Sequence, residues 1–125
     1  MKKSRFLYYK STLIAICLAL MLYTVALAAS GDLDTTFSGD GRVIQGFGGN
    51  SHVGSDVTLQ ADGKVGAVGS SWFSGDHDFA IARYNTNGTL DTGFGTGGKV
   101  TINLGNSDFA EGLTIQSDGK ILVTG

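Results

Sequence analysis

Asp56-Val57-Thr58-Leu59-Gln60-Ala61-Asp62-Gly63-Lys64-Val65 returns, slightly altered, as Glu111-Gly112-Leu113-Thr114-Ile115-Gln116-Ser117-Asp118-Gly119-Lys120-Ile121. Each copy reads as a β-hairpin: a short strand runs to a Gln, the chain reverses, and a second strand starts at Lys. The reversals predict type I′ turns at Asp62-Gly63 and Asp118-Gly119, because both central residues then need φ > 0, which Gly accepts freely and Asp better than most.

Working outward, Gly31-Asp32-Leu33-Asp34-Thr35-Thr36-Phe37 returns as Gly88-Thr89-Leu90-Asp91-Thr92-Gly93-Phe94, an offset of 57. A fixed period of this size marks a repeat architecture. The repeats divide as 31–87, blade-like and complete, and 88–125, incomplete. One period reads as four strands: Arg42 to Phe47, Val57 to Gln60, Lys64 to Ser71, and Phe79 to Tyr84. Short turns, including one at Asn87-Gly88, make neighbouring strands antiparallel. Helical spacing of apolar residues is absent after residue 30, and 20 glycines oppose helix. Phe79-Ala80-Ile81-Ala82 and Ile121-Leu122-Val123 do not alternate, so both runs are expected to be buried on two faces. Four-stranded sheets stacked between neighbours are β-propeller blades. Small residues such as Gly66, Ala67 and Gly69 would allow their close approach. A β-solenoid or a stacked sandwich satisfies the same pattern.

Leu-Asp-Thr-x-Phe-Gly-x-x-Gly, then Gln-x-Asp-Gly-Lys, then Asp-Phe-Ala-x-Ala-Arg-Tyr-Asn-x-Asn-Gly-x-Leu-Asp resembles the delta-60 repeat. This is a bacterial tandem repeat grouped with β-propeller-like domains of unknown function. The resemblance covers residues 31–125. It implies an all-β, antiparallel, propeller-like fold and brings no catalytic residues. Ser38 stands where the second copy has Gly95, which fits a terminal repeat. Gly125 aligns with Gly69, so the strand equivalent to Phe79–Tyr84 is not reached. The expectation is the N-terminal part of a longer array, or a chain whose open edge is covered by further repeats or a second copy. The competing reading is a small self-sufficient sandwich.

The first 28 residues differ from the rest. Lys2, Lys3, Arg5 and Lys10 precede an apolar run ending in Ala26-Leu27-Ala28. This is the pattern of a signal peptide helix cleaved after Ala28 or Ala29. An uncleaved anchor is the alternative, at about 17 apolar residues the short end of what spans a bilayer. Ile16 before Cys17 argues against lipidation. Localisation is therefore expected to be secreted, periplasmic or at the cell surface, with membrane contact only during export. Beyond the leader five basic residues face eleven acidic ones, a net charge near −6. That balance argues against nucleic acid as a partner. Without cysteine after residue 28, stability must come from core and repetition.

Carboxylates are the only abundant reactive groups. Asp32, Asp34 and Asp40 lie in a Gly-rich loop, and Asp91 repeats Asp34. Such loops can gather oxygen ligands for Ca²⁺, but the spacing fits no EF-hand, and Asp34 and Asp91 are expected to fix their loops instead. No cofactor is expected. Asp76-His77-Asp78 reads as a solvated turn, and Ser70 and Ser71 lack a hydrolase context. Arg83 is expected to pair with an Asp of a Leu-Asp loop. Trp72, Phe73, Asp76, His77 and Asp78 form a candidate recognition loop, since aromatics beside a turn can stack on a sugar or peptide. The segments that vary between copies are Gly46 to Ser55 and Leu104 to Ala110. The leading expectation is a non-enzymatic exported module binding a protein or glycan. The alternatives are a structural spacer of a large surface protein, or a propeller enzyme with a carboxylate site.

Overall fold

The computed structural model describes residues 31–125. The signal peptide expected at 1–28, with its helix, lies outside the described residues. Residues 33–125 form one compact unit built from six strands. The strands are β1 (His52–Leu59), β2 (Val65–Phe73), β3 (Asp76–Tyr84), β4 (Lys99–Ile102), β5 (Gly112–Ile115) and β6 (Ile121–Thr124). One sheet runs β1-β2-β3-β4 and the other β5-β6, every pairing antiparallel. The described residues are all-β, with β-propeller-like repeats.

The two hairpins recur as expected, but their turns are of another kind. Only Gly63 and Gly119 have positive φ, at 82° and 81°, and Asp62 and Asp118 do not. Gly63 N donates to Gln60 O at 2.9 Å and Gln60 N to Lys64 O at 2.7 Å. This closes a loop with Ala61 and Asp62 at its centre, followed by a left-handed glycine that forms a bulge. The Asp is selected by its side chain. Asp62 Oδ1 accepts Lys64 N at 3.2 Å, and Asp118 Oδ1 accepts Lys120 N at 3.1 Å. Asn87 does the same for Thr89 N at 3.1 Å. The turn with two positive φ values joins β2 to β3 instead, at Ser74 (46°) and Gly75 (120°).

Segment 42–47 is not a strand. Its counterpart one period later is β4, which completes the first sheet by pairing Val100 with Ile81 and Thr101 with Ala80. The four-stranded sheet therefore takes three strands from the first period and its fourth from the second. A strand exists only where a ladder partner lies beside it, and among the described residues 42–47 has none. β1 is also longer than expected, starting at His52, because its first residues pair with Ser71 and Ser70 before a bulge at Ser55.

Alternation along β2 and β3 sets two faces. On one, Val68, Ile81 and Val100 sit side by side across three strands. With Phe79 they pack against Ala110 and the facing pair Leu113 and Val123, so the core lies between the two sheets. Phe79, Ala80, Ile81 and Ala82 are all buried, as the unbroken apolar run predicts. β6 departs from that prediction. Leu122 is exposed, because β6 packs through one face only.

Candidate functional site

The sequence places Trp72, Phe73, Asp76, His77 and Asp78 in a loop. The structure places them in paired strand, at the end of the β2–β3 hairpin. Only Ser74 and Gly75 turn. Cross-strand pairing sets Trp72 opposite His77 and Phe73 opposite Asp76. The reading of Asp76-His77-Asp78 as a solvated turn fails for the same reason: Asp78 is buried on β3, on the face that it shares with Ala80 and Ala82. Its Oδ1, like His77 Nδ1, is a buried atom with no protein partner among the described residues.

The hairpin end gathers aromatics from two periods. The Trp72 and His77 rings meet edge-on at 5.0 Å, and His77 lies 4.6 Å from Phe109. Phe109 comes from the connection between β4 and β5. That connection is tied down because Asp108 N donates to His77 O at 2.6 Å and His77 N to Ser107 Oγ at 3.4 Å. Phe109 keeps half its surface in solvent. The result is a partly open aromatic row. Behind it, segment 46–51 is stitched to β2, since Trp72 N donates to Ser51 O and Asn50 N to Trp72 O. His52 Nδ1 lies 2.7 Å from Ser71 Oγ. Ser71 has no exposed surface, so this contact is a packed hydrogen bond and presents no nucleophile to solvent.

The carboxylates expected as Ca²⁺ candidates are separated and already engaged. Asp34 accepts from the amide and hydroxyl of Thr36 at 2.9 and 2.6 Å, and the hydroxyl in particular holds its carboxyl below the usual range. Asp40 accepts from Arg42 N at 3.0 Å. Asp32 is exposed. Asp91 is bonded by Arg83 Nε at 2.8 Å and lies 3.2 Å from Lys64 Nζ. Among the described residues, no three His, Cys, Asp or Glu side chains are grouped as a metal would require. The Arg83–Asp91 pairing expected from the sequence is present, and the guanidinium also lies 4.7 Å from the Phe94 ring centroid.

A cleft of about 160 Å³ opens on the other face of the first sheet, lined by Ala67, Gly69, Ala80 and Ala82 with Phe47 and Tyr84 at its sides. Gln45, His52 and Ser70 add polar groups to a mainly apolar lining, and burial pushes the Tyr84 phenol above its ordinary pKa. Its small residues Ala67 and Gly69 stand out in the sequence, but the cleft itself does not, because it forms only where the segment carrying Phe47 folds beside β2 and β3.

Residues 60–94 match the family model described as domain of unknown function (DUF5122) beta-propeller. The matched stretch runs from Gln60 through β2 and β3 to Phe94, and so contains the Arg83, Asp91 and Phe94 contact. No curated protein and no solved structure matches the chain. The similarity is to a β-propeller repeat, with no activity attached.

Proposed function

We propose that this chain is an exported, non-enzymatic β-repeat protein of the delta-60 kind that works as a binding or surface-interaction module. The observation that carries the reading is the aromatic row Trp72, His77 and Phe109 at the hairpin end. Its members come from consecutive periods and stay partly open to solvent. Rings at such spacing offer stacking faces to a sugar or to an aromatic or apolar peptide side chain. The net charge near −6 after the leader disfavours polyanionic ligands. Export rests on the leader's basic start and apolar run. Asp91 is neutralised by Arg83 and Lys64, which disfavours it as an acid–base group.

The test is binding to glycan and peptide arrays, with Trp72→Ala and Phe109→Ala beside the unsubstituted chain. Ligands retained by the chain and lost by both variants support the module. Uniform absence of binding moves the reading to a structural spacer.

A further inference from the structure

The Leu-Asp loop occurs twice, and among the described residues only the second copy has a binding partner. In the second copy the loop receives the end of β3. Arg83 N donates to Gly98 O at 2.9 Å, and Asp91 N donates to Arg83 O at 2.8 Å. The Arg83 side chain bonds Asp91 at 2.8 Å and lies over Phe94. The chain then continues as β4, pairing with Phe79 to Ala82.

The first copy has the same build. Phe37 N donates to Asp34 O at 2.9 Å, as Phe94 N does to Asp91 O at 2.9 Å. Gly41 N donates to Phe37 O at 2.8 Å, as Gly98 N does to Phe94 O at 2.9 Å. Gly41 and Gly98 share positive φ, 77° and 89°, and a Cβ on either would lie within 2.8 Å of the Cβ of Leu33 or Leu90. The loop is held from behind, because Ser38 N donates to Asn87 O at 2.9 Å and Phe37 meets Tyr84 edge-on at 6.4 Å. What differs is the mate. Among the described residues Asp34 meets Thr36 and no cation, and Ile44, in the position of β4 residue Thr101, is fully exposed.

We infer that Leu33 to Gln45 is a preformed receptor for a strand of the Phe-Ala-x-Ala-Arg-Tyr kind from another repeat. Its arginine seats between Asp34 and Phe37, and its backbone pairs antiparallel with Arg42 to Gln45. The register follows from β4: the second alanine stands opposite Arg42, the next residue back opposite Val43, and the first alanine opposite Ile44. The mate is a further repeat rather than a second copy of this chain, because this chain's own Ala-Arg-Tyr strand is already held by Asp91 and β4. Strand addition of this kind draws affinity from the backbone and selectivity from the side chain. The inference rests on the repeat reading of the chain alone, and not on export or on the aromatic row.

The probe is a fluorescein-labelled peptide with the sequence of Asp76–Tyr84, titrated with the full chain and followed by anisotropy. Saturable binding is expected. Replacing the peptide arginine by alanine, or Asp34→Asn in the chain, should each weaken it at least tenfold, with the circular dichroism of the variant unchanged. Ile44→Pro should abolish it, and Trp72→Ala should leave it unaltered. That last arm separates this site from the recognition surface. As an independent readout, Ile44→Cys in a Cys17→Ser background should form a disulfide with a peptide carrying Cys at its first alanine, faster than with Cys one residue later. No saturable binding by the folded chain, equal binding by Asp34→Asn, or equal cross-linking at both peptide positions would overturn the inference.

Discussion

Asp91 is the most heavily engaged side chain of the second loop, with Arg83, Lys64 and the Gly93 amide all directed at its carboxylate. The Lys64 ammonium is the largest influence holding it below the ordinary carboxylate range. Burial opposes that lowering, and the Gly93 N–H and the Arg83 charge add to it. A carboxyl lowered in the folded state contributes stability that is fully present above its unfolded pKa, about 3.9, and lost as pH falls through the lower folded value. The urea midpoint of the unsubstituted chain should therefore exceed that of Asp91→Asn by a constant margin from pH 7 to 5, and the margin should close below pH 4. A margin that persists to pH 2 would contradict this account. The pairing was legible in the sequence, because Ala82-Arg83-Tyr84 stands one short turn ahead of Leu90-Asp91. The contact of His52 with Ser71 was not, since it depends on a β1 register set by an unpaired residue at Ser55. The burial of Asp78 was hidden for a related reason: Gly75 beside it looked like the start of a loop, and the turn uses only two residues.

At the scale of the element, the two Gln-x-Asp-Gly-Lys turns form a natural comparison. Gly63 and Gly119 have nearly the same φ, so alanine at either should cost about 1–2 kcal/mol for the left-handed backbone alone. They differ in surroundings. A Cβ at 63 would stand 2.8 Å from the Thr86 methyl, and one at 119 meets open space. Gly63→Ala should lose more stability than Gly119→Ala in urea denaturation, and Thr86→Ala should bring the two losses together. Equal losses in the Thr86 background and in its parent would show that the neighbouring turn does not touch this one. Hairpin positions were readable because Gly and Asp punctuate the chain at both. The turn class was not, because Asp-Gly serves equally as the centre of a two-residue loop or as the end of a three-residue one, and the choice is made by which carbonyl the glycine amide reaches. Segment 42–47 and β4 show the limit of reading local pattern: Arg42-Val43 and Lys99-Val100 are alike in sequence, yet among the described residues only the second has a neighbour to pair with.

For the whole molecule, the row Val68, Ile81 and Val100 joins the four-stranded sheet to β5–β6. Ile81, 5% exposed at the centre of that row, is the side chain on which both sheets depend. Ile81→Ala should cost about 2–5 kcal/mol. Because the lost methyls face the second sheet, β5–β6 should unfold together with the first, giving coincident transitions by circular dichroism and Trp72 fluorescence. Separate transitions would mean that the sheets are independent. The all-β repeat, the antiparallel pairing and the double-sided burial of β3 were written in period and composition. The phase of the sheet against the period was not, because a repeat in sequence has no intrinsic start. That phase has a genetic consequence. When each sheet borrows its last strand from the following period, a duplication or deletion of one whole period leaves every internal sheet with four strands, wherever in the period the breakpoints fall. Arrays built this way can change length by unequal recombination without passing through a misfolded intermediate, so copy number is free to vary while the blade itself stays constant.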